Sequence, residues 1–139
     1  MSGELRRACL TDISGMHRVR LSVQENPLVS TVLGQKEYAM ALEKGHGWVI
    51  EARQVIVAFA VANSENGSVW ALFVEPGHER KGYGRQLHDV MVNWLRSQGH
   101  ERLWLTTTPG TRAERFYEVA GWQRVGPAGD GETRFELEL

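Results

Sequence analysis

Three observations predict a mixed α/β fold, one sheet with helices packed on it. Seven β-rich runs alternate with four stretches of helical period along the 139 residues, and interleaved strands and helices build a layered domain of this kind. The run VIVAFAVA at 55–62 is apolar on both faces, which marks a strand in the middle of a covered sheet. Tyr83, Leu87, Val90, Met91, Trp94 and Leu95 fall at offsets 0, 4, 7, 8, 11 and 12, one face of a helix that Gly99 closes. With 42% hydrophobic residues the chain has core material for one domain and no room for a second, so 1–139 is expected to be a single domain.

Residues 4–8 read as the first strand. Thr11-Asp12 supplies the N-cap of a helix carrying Ile13, Met16, Val19, Arg20 and Val23, which Pro27 ends. Residues 35–44 repeat the helical period through Tyr38, Ala41 and Leu42, and Gly45 and Gly47 bracket the stop. Between these helices SVQENPLVST is a polar and apolar connection of the kind that lines sites. Residues 48–52 and 55–62 form a hairpin about Arg53-Gln54, and 69–74 makes a fourth strand after the turn at 63–67. Residues 102–107 are a fifth. Thr111-Arg112-Ala113-Glu114 matches a capping box, in which the hydroxyl takes one orphan N–H and the carboxylate another. Residues 122–125 and 133–139 then pair across GPAGDGE at 126–132, read as a hairpin connection. Phe135, Leu137 and Leu139 alternate with Glu136 and Glu138 as in a half-buried strand.

The stretch LFVEPGHERKGYGRQL at 72–87 has the order of parts that makes an anion site: an apolar strand, a charged glycine-bearing turn, then a helix. Gly82 and Gly84 lack a Cβ, so the backbone around Arg80, Lys81, Tyr83 and Arg85 can turn tightly and present its N–H groups. The first N–H groups of the helix have no intrahelical partner and sit at the positive end of its dipole. A dinucleotide fingerprint would need a third glycine where Leu87 stands, and a phosphate loop of the Gly-Lys-Ser/Thr kind is absent.

What fits is the Gln/Arg-x-x-Gly-x-Gly/Ala loop of the GNAT family of N-acetyltransferases, written here as Glu79-Arg80-Lys81-Gly82-Tyr83-Gly84. The stretch AERFYEVAGW at 113–122 resembles the family's late helix, with Ala113 and Tyr117 in its spacing and Gly121-Trp122 opening the next strand. The chain is similar to that family over essentially its whole length. It departs at Glu79, where the family prefers Gln or Arg, and at Gly110, where many members have Asn. The resemblance implies a central, mostly antiparallel mixed sheet flanked by about four helices. It also implies acetyl-CoA as donor, with Leu72, Phe73 and Val74 offering backbone groups where the fourth strand splays from the fifth, and the loop from Glu79 to Arg85 holding the pyrophosphate.

Acyl transfer from a thioester to an amine needs a held donor, a polarised carbonyl, an uncharged amine and a proton for the departing thiolate. Tyr117 is the candidate proton donor, since a phenol within reach of the sulfur serves a thiolate leaving near neutral pH. Periodicity alone favours packing beside Phe116, and the register with the family favours the donor role. Glu75 at the strand end and Glu25 in the first helix are the candidate general bases, each also readable as a solvated surface carboxylate. Ser22 and Asn26 are acceptor-side residues by the resemblance alone. His17 and His46 read as polar surface or satisfied core. Trp48, Trp70 and Trp104 fall on strands and read as core.

A net charge of −1 gives no reason for a nucleic-acid or anionic-membrane partner. The five histidines show no metal-ligand spacing, so no metal is expected. The single Cys9 excludes an intramolecular disulfide, and the charged start and the lack of a long apolar run point to a cytoplasmic protein. The expected activity is direct transfer to a primary amine, a small molecule or amino-acid derivative, with a homodimer left open. The alternatives are a protein N-terminal or lysine acceptor, and a domain of the same fold that binds acyl-CoA without turnover.

Overall fold

The computed structural model describes residues 3–23, 35–129 and 131–139. The element order is β1 (Glu4–Arg7), a 3-10 turn (Leu10–Asp12), α1 (Ile13–Ser22), α2 (Gln35–Lys44), β2 (Gly45–Ala52), β3 (Val55–Asn63) and β4 (Ser68–Val74). It continues with α3 (Tyr83–Ser97), β5 (Arg102–Thr107), α4 (Arg112–Val119), β6 (Gln123–Gly129) and β7 (Glu132–Glu138). The strands form a seven-stranded sheet in the order β1-β2-β3-β4-β5-β7-β6. Every neighbouring pair is antiparallel except β4 and β5.

β3 is central, as its two apolar faces require. Ala58 and Ala60 join Ile50, Leu87, Met91, Leu95 and Phe135 in the core under α3 and α4. Phe59 and Val61, pointing the other way, join Val49, Met16, Val19 and Tyr38 under α1 and α2. The helical face of α3 buries Tyr83, Leu87, Met91 and Leu95 as its spacing dictates. Arg53 and Gln54 both take positive φ, 53° and 67°, the twist that joins β2 to β3 by a two-residue loop.

Three boundaries and the burial of one residue differ from the sequence reading. α1 ends at Ser22, five residues before Pro27, because Val23 turns extended (φ −85°, ψ 111°); Pro27 lies outside the described residues. α2 stops at Lys44, directly before Gly45, and β2 begins at Gly45, taking in Gly47, where the sequence reading started this strand at Trp48. A Cβ on Gly47 would lie 2.5 Å from Leu42 Cδ2, so this glycine lets α2 lie close on the strand it feeds. The Gly-rich stretch after Val125 is strand, carried by two register irregularities in the pairing of β6 with β7. Trp70 is the residue left over where the β3–β4 register slips, and it is 39% exposed where core was expected. Among the described residues no helix is long and apolar enough to cross a membrane.

Candidate active site

The feature that makes a site is a seam in the sheet. β4 and β5 run parallel and share one register pair, Ser68 with Trp104. Beyond it β4 stays paired with β3 through Val74, and β5 stays paired with β7 through Thr107. The edges that face each other across the seam therefore part, and the splay expected at Leu72, Phe73 and Val74 is present.

The turn after β4 and the start of α3 close the end of that gap. Gly82 is the N-cap of α3 with φ 83°, a conformation that costs a side-chain-bearing residue about 1–2 kcal/mol. Gly84 has an ordinary backbone, and its need is for space: a Cβ there would sit 3.4 Å from Phe116 and 3.7 Å from Val74. No side chain caps the helix, so the first N–H groups of a fifteen-residue helix are left without a capping partner where Gly82, Tyr83, Gly84 and Arg85 line the gap. Arg80 completes the turn at φ 66°. The result is a cleft of about 570 Å³ between β4, the turn, the start of α3 and the start of α4.

Of the ten residues assigned to the donor, nine line this cleft: Leu72, Phe73, Val74, Glu79, Arg80, Gly82, Tyr83, Gly84 and Arg85. Lys81 does not, and its Nζ lies 3.3 Å from His78 Nδ1. Tyr83 is 2% exposed with its hydroxyl accepting from the Gly3 N–H at 2.9 Å, so what it offers the cleft is backbone. Arg85 is paired with Asp89 one turn on, at 3.1 Å. Glu79 reaches neither solvent alone nor Arg80; its carboxylate pairs with Arg112 at the start of α4.

Arg112, Arg115, Phe116 and His78 also line the cleft and were not singled out from sequence. The signal available was position. A helix that follows β5 begins at the same end of the sheet as the turn after β4, so its first turn, residues 111–115, faces the loop. That first turn is well fixed: Thr111 Oγ1 accepts from the Glu114 N–H at 3.4 Å and donates to Thr108 O at 2.8 Å. The Glu114 carboxylate reaches back one residue further than a capping box does, accepting from the Gly110 N–H at 3.1 Å, and takes Arg124 at 2.9 Å.

Tyr117 is 5% exposed and packs edge-on against Phe116 and Trp122, with ring centroids at 5.3 and 5.4 Å. It adjoins cleft-lining Phe116 without lining the cleft itself. Burial pushes its phenol well above the usual 10. Trp122 Nε1 donates to His88 Nε2 at 2.9 Å, which leaves the His88 ring proton on Nδ1, facing Asp89 Oδ1 at 2.9 Å. Glu75, just beyond β4, is held by Arg18 of α1 and has His78 Nε2 at 3.6 Å. Glu25 and Asn26 lie outside the described residues. Ser22 Oγ donates to Val19 O at 2.6 Å and is thereby tied to its own helix.

A family model described as "Acetyltransferase (GNAT) family" matches residues 12–122. A [Ribosomal protein bS18]-alanine N-acetyltransferase of Haemophilus ducreyi is 27% identical over 73 residues, half of this chain and about half the length of that relative. Among solved structures, the fold is shared with the ribosomal-protein-S18-alanine N-acetyltransferase of Escherichia coli, with a TM-score of 0.79 at 19% identity over 98% of this chain and 93% of that one. It is also shared with a PaiA N-acetyltransferase of Thermoplasma acidophilum in complex with coenzyme A, with a TM-score of 0.86 at 14% identity over the whole of both chains.

Proposed function

The chain belongs to the GNAT family of acetyltransferases, and on that premise we propose that it is a single N-acetyltransferase domain moving the acetyl group of acetyl-CoA directly to a primary amine, a small molecule or amino-acid derivative. The observation that carries this reading is the seam: β4 leaves β5 after one pair, at the uncapped N-terminus of α3. The residues there fit the donor. Gly84 leaves a space beside Phe116 and Val74 that a larger side chain would fill, Gly82 supplies the positive φ of the N-cap, and Arg80, Arg85, Arg112 and Arg115 line the cleft, Arg85 and Arg112 each already paired with a carboxylate.

Acetyl-CoA supplies the activated acyl group as a thioester. The α3 N–H groups and Arg80 hold its phosphates, and the free edge of β4 from Leu72 to Val74 orients the arm and polarises the carbonyl. Tyr117 returns the proton to the sulfur; burial keeps its phenol protonated across the neutral range, the form a donor needs. Glu75, at the end of β4, takes the proton of the amine directly or through water, with Glu25 as the second candidate for that role.

The identity to the Haemophilus ducreyi enzyme favours a second reading, transfer to a protein's N-terminal residue. One experiment addresses both. The protein is incubated with acetyl-CoA and a panel of small amines, amino-acid derivatives and peptides beginning with alanine, and free thiol release is followed. Release that depends on a small amine supports the first reading, and release with the peptides alone supports the second. Acetyl-CoA binding with no release for any acceptor would leave a binding module in place of an enzyme.

A further inference from the structure

A buried imidazole stands behind the phosphate end of the cleft, and the acetyl transfer described above gives it no role. His88 of α3 is 3% exposed, with the Phe116 ring edge-on to it at 5.8 Å and the Trp122 ring at 6.2 Å. Both ring nitrogens are engaged. The Trp122 indole can only donate, so Nε2 accepts from it at 2.9 Å, and the one ring proton sits on Nδ1, 2.9 Å from Asp89 Oδ1. The same oxygen accepts from Arg85 Nε at 3.1 Å. Burial acts against the Asp89 charge, yet the bond from His88 and the positive charge of Arg85 hold its carboxyl below the usual 3.8, so it stays an acceptor across the neutral range.

These bonds form a chain with one end in the cleft. Trp122, just past α4, holds His88; His88 holds Asp89; and Asp89 holds Arg85, which lines the cleft beside Gly84. Helix stability does not account for the arrangement. Arg85 lies in the first turn of α3, where the dipole disfavours a cation, and a basic residue one turn before an acidic one is the weaker order of such a pair. Both side chains are more than half exposed, so the pair is worth little to the fold. What the pairing does is select the nitrogen that is used. Asp89 takes Nε, and among the described residues Nη1 and Nη2 of Arg85 make no hydrogen bond, so the fork that grips a phosphate by two parallel bonds is intact. Arg112 differs, since Glu79 takes its Nη1.

Resting on the acetyl-transfer reading above, we propose that His88 is a positioning residue for the donor: through Asp89 it fixes the Arg85 guanidinium by Nε and leaves Nη1 and Nη2 to take a phosphate of acetyl-CoA. His88 itself does not touch the ligand. Its contribution is preorganisation, because a guanidinium already held by one nitrogen loses less freedom when it binds.

The test uses the full chain, with calorimetric titration of acetyl-CoA and thermal unfolding of every variant. His88→Leu and His88→Asn are close in shape and alike in charge, and only Asn offers Asp89 an N–H. His88→Leu should weaken acetyl-CoA binding about 3- to 10-fold, the coupling usual within one hydrogen-bond network, and His88→Asn should stay within about twofold of the parent. In an Arg85→Gln background the two should bind alike, a pattern that a residue serving packing alone does not produce. Should His88→Leu fail to fold, Asp89→Ala at its exposed position carries the same test, since it should weaken binding although it removes a negative charge near the phosphates. Equal affinity of the Leu and Asn variants, a difference between them that persists with Arg85→Gln, or binding unchanged or tighter in Asp89→Ala overturns the positioning role and leaves the donor reading standing. A parent chain that binds no acetyl-CoA removes the donor reading, and the positioning role with it.

Discussion

Two glycines two residues apart do different work, and substitution separates them. Gly82 is needed for its φ of 83° and Gly84 for the 3.4 Å it leaves to Phe116. Gly84→Ala should be folded and close to normal in acetyl-CoA affinity, while Gly84→Val should lose affinity by tenfold or more with a stability cost of about 1–3 kcal/mol from overpacking. Fluorescence titration and thermal unfolding of both variants decide this, and unchanged affinity in folded Gly84→Val would remove the cradle from the site. Tyr117→Phe keeps the ring between Phe116 and Trp122 and removes the hydroxyl alone. As proton donor it should lower kcat by about 10²- to 10⁴-fold with little change in KM; near-normal kcat would assign the residue to packing and leave solvent as the acid. Asp12 tests electrostatics away from the cleft. Its carboxylate accepts from Arg6 at 2.9 Å and from the Cys9 N–H at 2.9 Å, and these bonds hold it below its usual 3.8 against the effect of burial. A depressed carboxylate supplies stability that is present above the unfolded value and lost as pH falls through the folded one. Asp12→Ala should therefore cost about 1–3 kcal/mol at pH 7, with the gap to the parent closing toward pH 3 in unfolding titrations. A gap independent of pH would assign the loss to packing.

At the scale of elements, the turn after β4 and the first turn of α4 are joined across the mouth of the cleft by Glu79 and Arg112. Both side chains are well exposed, so the pair is worth at most about 1 kcal/mol to the fold; its effect belongs to the ligand, because it occupies an arginine that would otherwise face the phosphates. Glu79→Gln should leave the melting temperature within a degree or two and leave acetyl-CoA affinity equal or tighter. A clear loss of affinity in calorimetry would mean that Glu79 positions Arg112 productively. This pair also shows where reading the sequence stops. The glycine turn and the periodicity of α3 are local patterns and could be read directly, whereas Glu79 and Arg112 lie far apart in the chain and meet only through the sheet order. The sequence predicts a shorter β6 for a related reason. Gly126, Pro127 and Gly129 signal a turn locally, and bulged pairing with β7 overrides that signal.

For the molecule as a whole, the seam divides the sheet into β1–β4 and β5–β7–β6, held across it by one parallel pair, by the Trp104 N–H to Gly67 O bond at 3.1 Å and by the helices above. The central position of β3 was legible because an apolar run on both faces has no other use. The parting of β4 from β5 was not, because register between strands leaves no trace in either strand alone. Amides along the facing edges beyond Ser68 and Trp104 should exchange with solvent faster than those of β3, and should slow when acetyl-CoA is bound. Mass-spectrometric exchange over 70–74 and 104–108 measures this, and equal protection with and without ligand would mean that the ligand sits elsewhere. In effect the sheet has four edges instead of two, and the inner pair carries the liability of any unpaired strand, a template for another chain. Whatever fills the seam then acts as a solubility factor as well as a reactant: the ligand-free protein should aggregate on heating before the saturated one does.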